Sequence, residues 1–181
     1  MQLNRAIDMK QMPWKNGGGI TAEVAISPAG TSLAEMDFDW RVSIATVVSD
    51  GPFSLFPGYD RLLVVWSGAG FDVGGIRRSS MQAFHFRGED TMDVRLFAGA
   101  VKDFGIIFKR DRVQSEMSVH SLQTDEILPV DVAGECFVLC ARGEIRIGEF
   151  YLNPGDVLRA GTGPLPVTAL ESSSFVVLQI R

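Results

Sequence analysis

Histidine is almost missing from this chain, which has two in 181 residues, His85 and His120. A zinc or iron site built on imidazole needs two or three of them together. These two lie far apart in the sequence, so no metal is expected. A serine nucleophile also needs an imidazole partner. Ser43 and Ser54 have only His85 in their half of the chain, so covalent catalysis through serine is not expected. His85, between Phe84 and Phe86, reads as a surface residue on a strand, or else as a pocket hydrogen-bonder. Cysteine is as scarce. Cys136 and Cys140 fall in one extended segment, where four residues span about 13 Å. A disulfide tolerates about 7 Å, so both are expected as free thiols, as in a reducing compartment.

No apolar run approaches the roughly 18 residues of a membrane span. The first eight residues carry no stretch resembling a secretory signal, so a cytoplasmic protein is the expectation. A basic excess is missing too: 22 acidic side chains outweigh 17 basic ones, giving −5. That disfavours a nucleic-acid surface. Residues 1–112 hold 13 of each sign, and residues 113–181 hold 4 basic and 9 acidic. The arginines and lysines are concentrated in the first part.

What the chain does have is the run Pro13-Trp14-Lys15-Asn16-Gly17-Gly18-Gly19-Ile20-Thr21-Ala22-Glu23. Three glycines in a row suit unusual dihedrals or close approach to the backbone. Around them stand a ring, a cation, an amide, a hydroxyl and a carboxylate, an inventory suited to a small polar ligand. The plainer reading is a turn before a strand. The run is not a phosphate loop, because Lys15 precedes the glycines and a strand ended by Pro28 follows them.

The rest reads as short strands with Gly and Pro punctuation. Trp40–Val48 alternates, with Arg41 and Ser43 on one face and Val42 and Ile44 on the other. Arg61–Trp66, Phe84–Phe86, Met92–Phe97, Phe104–Phe108, Met117–Ser121, Glu135–Cys140, Glu144–Ile147, Val157–Arg159 and Phe175–Ile180 follow. No segment of 12 or more residues has helical periodicity. This predicts an all-β sandwich or barrel. Leu63–Val73 and Phe137–Ile147 share one form, an apolar strand, a glycine turn and a return strand. With the later Asn153-Pro154-Gly155-Asp156 turn, that is the scaffold signature of a double-stranded β-helix, the cupin barrel. Two barrels are expected, at residues 1–112 and 113–181.

Three motifs in this order resemble the HutD/Ves family: Trp14–Gly19, Phe38-Asp39-Trp40-Arg41-Val42-Ser43-Ile44-Ala45, and Asp50-Gly51-Pro52-Phe53-Ser54-Leu55-Phe56-Pro57-Gly58-Tyr59-Asp60-Arg61. With Asp103-Phe104, the resemblance covers most of residues 12–110. It implies a bicupin fold and, in some members, an association with histidine-utilisation genes; it implies no reaction. Members often carry Asn after the Asp-Phe pair, where this chain has Gly105. Metal cupins carry His-x-His near the first hairpin. The matching stretch here, Phe53–Tyr59, has no histidine.

The expected activity is therefore binding of a small anionic metabolite in the first barrel without metal or cofactor. If the histidine link holds, urocanate, formylglutamate or a related carboxylate is the expected ligand, sensed to modulate that pathway. The site residues expected are Trp14, Lys15, Asn16, Gly18, Thr21, Glu23, Arg41, Ser43, Phe53, Arg61 and Asp103. Arg41 supplies a fork suited to a carboxylate, with Trp14, Phe53 and Trp66 as walls and Asp60 holding Arg61. An ion pair of Arg41 with Asp39 or Asp50 is the competing explanation. The alternatives in function are a metal-independent isomerase or lyase using Glu23, Lys15 or Asp103 as acid or base, and a purely structural, partner-binding protein. No membrane or nucleic-acid partner is expected, and a homodimer is an option for assembly.

Overall fold

A computed structural model describes residues 1–14 and 16–181. Lys15, one of the expected site residues, lies outside the described residues. The described chain forms strands, turns and bends with no helix. No helix is long and apolar enough to cross a membrane. The strands assemble into four sheets, none closed on itself.

The chain divides into two units, Lys10–Gln114 and a second made of Met1–Met9 with Ser115–Arg181. The first nine residues join the C-terminal part because Gln2–Asn4 pairs antiparallel with Val157–Arg159. Asp156 fixes this strap. Its carboxylate accepts hydrogen bonds from Ala6 N (2.8 Å), Asn153 N (3.0 Å) and the Arg5 guanidinium (2.8 Å). The Pro-Gly-Asp turn thus ends in a buried acid whose lone pairs are used.

In the Lys10–Gln114 unit, a six-stranded sheet runs in the order Gln11–Pro13, Gly19–Ser27, Trp40–Val47, Val101–Lys109, Tyr59–Ser67, Ala83–Arg87. A four-stranded sheet holds Gly51–Pro52, Asp93–Leu96, Phe71–Val73 and Ile76–Arg78. Alternation sends Val47, Leu63, Val65, Phe84, Phe86 and Val101 into an apolar cluster with Phe71, Val73 and Val94 of the four-stranded sheet. A second cluster of Phe38, Phe56, Tyr59 and Ile107 forms separately.

The repeated strand–glycine–strand form is present in both units, but it is not a hairpin. Tyr59–Ser67 belongs to the six-stranded sheet and Phe71–Val73 to the four-stranded one. Glu135–Arg142 and Ile145–Ile147 are likewise in different sheets. The glycines carry the chain across: Gly68 and Gly70 take φ of +98° and +96°, and Gly143 takes +75°. A side chain would strain these positions.

Candidate functional site

Antiparallel register builds the site. In one cross-strand row Arg41 lies opposite Ile107, which lies opposite Arg61 and then Phe86. The next row on that face runs Glu23, Ser43, Gly105, Leu63. The next runs Thr21, Ala45, Asp103, Val65. Opposed residues share a face and the period along a strand is two. Glu23, Arg41, Ser43, Arg61 and Asp103 therefore all stand on one face of the six-stranded sheet. Gly105 sits at the centre of the group and contributes no side chain.

Arg41 is 5% exposed and donates from Nε to Glu23 Oε2 at 2.7 Å. Among the described residues its two terminal nitrogens take no partner. The competing explanation is corrected: Asp39 pairs with Lys109 (3.2 Å) and Arg112 (3.5 Å). Asp50 accepts from the backbone N–H of Leu96. Arg61 lies over three rings, its guanidinium carbon 4.7, 5.6 and 5.0 Å from the centroids of Phe53, Phe56 and Phe86. Each such contact is worth on the order of 0.5–2 kcal/mol, so the cage fixes the head group. Among the described residues its one hydrogen bond, to Ser54 O, is long at 3.4 Å. Burial draws its pKa down to about 10, the charge on Arg41 adding to this and Asp103 opposing it.

Asp103 is 7% exposed, and among the described residues its carboxyl makes no hydrogen bond. Burial disfavours its charged form and pushes its pKa up to about 7, against the pull of Arg61.

Asn16, Gly17 and Gly18 form a built turn. Trp14 N donates to Gly19 O (2.9 Å) and Gly17 N to Trp14 O (3.0 Å). The Asn16 side chain accepts from Gly18 N (3.0 Å), and the indole N–H donates to Thr21 Oγ1 (2.7 Å). A Cβ on Gly19 would lie 2.6 Å from Thr46 O and 3.0 Å from the Trp14 ring. Asn16, Gly18 and Thr21 thus have local structural work, and Asn16 is exposed. Trp14 packs on the apolar cluster that contains Phe53. Among the described residues of the run, Glu23 is the one in contact with Arg41.

Asp60 does not hold Arg61. Neighbours on a strand face opposite ways, and Asp60 instead pairs with Arg110 Nε (2.6 Å) and His85 Nε2 (2.8 Å). His85 is an exposed strand residue pointing away from the Arg41 face. Trp66 is not part of the cage; Lys102 lies over its ring at 5.5 Å. Sequence reasoning missed Phe56 and Phe86. The alternation of Phe84 and Phe86 around His85 was the available signal, but the place of Phe86 opposite Arg61 depends on register.

Among the described residues no three His, Cys, Asp or Glu side chains come together to hold a metal. Cys136 and Cys140 are free and fully buried, and burial pushes both thiols up to about 12. The C-terminal unit is filled by an apolar cluster, including Val138, Ile145, Leu158, Val167 and Phe175. The polar face belongs to the Lys10–Gln114 unit.

A family profile described as HutD matches residues 6–176. The chain belongs to the HutD family. It is 38% identical over 122 residues to an uncharacterized 21.2 kDa protein in the hutC 3′ region of Pseudomonas putida, covering 65% of this chain and 63% of that one. It is 33% identical over 121 residues to protein Ves of Citrobacter koseri, covering 62% and 61%. These matches span less than two thirds of the relatives' length. Among solved structures, a conserved protein of unknown function from Pseudomonas aeruginosa PAO1 superposes with TM-score 0.84 at 29% identity, covering 99% of this chain and 97% of that one. HutD from Pseudomonas fluorescens SBW25 gives 0.78 at 30%, covering 99% and 98%. A cupin 2 conserved barrel domain protein from Leptotrichia buccalis gives 0.56 at 14%, covering 93% and 91%. That last likeness speaks to the fold: this HutD member is a cupin-type all-β protein.

Proposed function

We propose that this HutD-family protein binds a small carboxylate anion, without a metal, on the Arg41–Arg61 face of its Lys10–Gln114 unit. The observation that carries the reading is the pair of guanidiniums in one cross-strand row. Glu23 orients one of them and three phenylalanines orient the other, and donors are left over on both. Two like charges on a partly desolvated surface repel each other, and an anion between them relieves that repulsion. A guanidinium fork holds a carboxylate with parallel hydrogen bonds, worth roughly 1.5–3 kcal/mol for a charged pair. Asp103 and Ser43 offer further polar contacts, and Phe53 an apolar wall. The family name supports a ligand from histidine catabolism, of the urocanate or formylglutamate type, sensed in the cytoplasm by a two-barrel protein that modulates that pathway.

A thermal-shift screen of formate, acetate, urocanate and N-formylglutamate tests the reading. A ligand bound only by the folded state raises the melting temperature with its concentration. No shift with any carboxylate, at concentrations up to tens of millimolar, refutes it.

Asp103 favours a second reading, a metal-independent enzyme. A buried carboxyl titrating near 7 is poised to give and take a proton. Glu23 suits that role less, because Arg41 holds it as an anion partner. Turnover of a bound carboxylate that is lost in Asp103→Asn, with binding kept, would separate enzyme from sensor.

A further inference from the structure

The binding reading leaves Asp103 unexplained. A buried carboxyl without a hydrogen bond is expensive to keep ionised. The groups facing it can be named strand by strand. On Gly19–Ser27 these are Glu23 and the neutral Thr21; on Trp40–Val47, Arg41 with Ser43 and Ala45; on Tyr59–Ser67, Arg61 with Leu63 and Val65. From the four-stranded sheet come the apolar Phe71, Val73 and Val94, and Arg78, which lies opposite Phe71 with its guanidinium carbon 4.4 Å from the centroid of the Phe84 ring. Lys102, next in sequence, is exposed and turned toward Trp66. Arg61 is the charge that reaches Asp103, and it does so without a hydrogen bond.

Asp103 and the Arg41–Arg61 row stand four residues apart along Val101–Lys109, about 13 Å. Between them is Gly105, which puts nothing on that face. A small anion seated against the guanidiniums would lie above Gly105, with Asp103 at its far side. Two carboxylates would then meet across a short gap. Like charges at such separations force a proton onto one of them. The solute carboxylate has two guanidiniums to hold its charge, whereas Asp103 has one counter-ion, Arg61, and no hydrogen bond to it, so the proton goes to Asp103.

Resting on the anion-binding reading, we propose that the site takes its carboxylate together with one proton from solvent, held on Asp103, whose O–H then donates a hydrogen bond to the bound anion. Glu23 keeps its pairing with Arg41. With Asp103 neutral, the four groups sum to one positive charge, which a monoanion cancels. With Asp103 ionised they sum to zero, and an anion is left uncompensated. Proton and anion therefore bind with positive coupling, and coupling is reciprocal.

Calorimetric titration with formate, at pH 6.5 and 8.5, tests this on the full chain. Formate stays ionised across that range, so only the protein can supply the proton linkage. Wild-type affinity is expected to fall roughly tenfold or more between the two pH values. Asp103→Asn mimics the protonated side chain, so its affinity should change by less than about twofold. A urea unfolding curve for the variant establishes that it is folded. A pH-independent wild-type affinity overturns the proposal and leaves the anion site standing. A fall that persists in Asp103→Asn also overturns it, by assigning the proton to another group. Absence of formate binding at either pH, in both proteins, defeats the anion site itself and the proposal with it.

Discussion

Replacing Asp103 with asparagine should stabilise the protein at alkaline pH and do little in acid. In the folded chain the carboxyl titrates at about 7, against 3.8 when unhindered. Below 3.8 both folded and unfolded chains hold the proton, and ionisation contributes nothing. Between the two values the folded chain keeps a proton that the unfolded chain has released, so stability falls as pH rises. Above about 7 the full penalty is present and constant. Each pH unit is worth about 1.4 kcal/mol, which gives a ceiling of roughly 4 kcal/mol. Asparagine cannot ionise and has nearly the same shape. Urea unfolding of both proteins at pH 5 and pH 8 should show the stability gap, variant over wild type, widening by about 2–3 kcal/mol toward pH 8. Other titrating groups are common to both proteins and cancel in the gap. An equal gap at the two pH values refutes the argument. It would mean that Asp103 is solvated, or has a partner that keeps it ionised.

Three other outcomes follow from contacts in the two units. A Cβ at position 105 would lie 2.9 Å from the Leu63 Cβ, so Gly105→Ala should lower unfolding stability by about 1–3 kcal/mol and weaken formate binding in a calorimetric titration. Asp156→Ala removes the acceptor for Ala6, Asn153 and Arg5. It should destabilise the C-terminal unit by about 2–4 kcal/mol and speed hydrogen exchange at Leu3. Cys136 and Cys140 are fully buried with thiols held near 12. Neither should react with a thiol reagent at pH 8 until denaturant is added.

The polar face was half legible. Strict alternation in Trp40–Val47 put Arg41 beside Ser43, and the strand after the glycines carried Glu23 to that same face. The place of Arg61 opposite Phe86 was not legible, because register depends on pairing between segments far apart in the chain. For the same reason Asp60 was assigned to Arg61, although neighbours on a strand diverge. The all-β class followed from turn spacing, but several strands were hidden. Gly163–Ala169 contains Pro164 and Pro166, which discourage a strand reading. Its residues 163–168 pair with Ile127–Val132. The neighbour on its other side, Ile145–Ile147, reaches only Val167–Ala169. Both prolines thus sit where that side needs no ladder bond. The two glycine turns read as hairpins because sequence cannot distinguish a return from a crossing to another sheet.

The central claim is that Arg41 and Arg61 together hold a carboxylate. Calorimetric titration of formate into wild type, Arg41→Lys and Arg61→Lys at pH 6.5 tests it most directly. Lysine keeps the charge and loses the planar fork, and Arg61→Lys also loses the delocalised cation that lies over Phe53, Phe56 and Phe86. Each variant should bind about tenfold more weakly than wild type while unfolding cooperatively in urea. Equal affinity in all three proteins would contradict the account and leave the two arginines as structural charges.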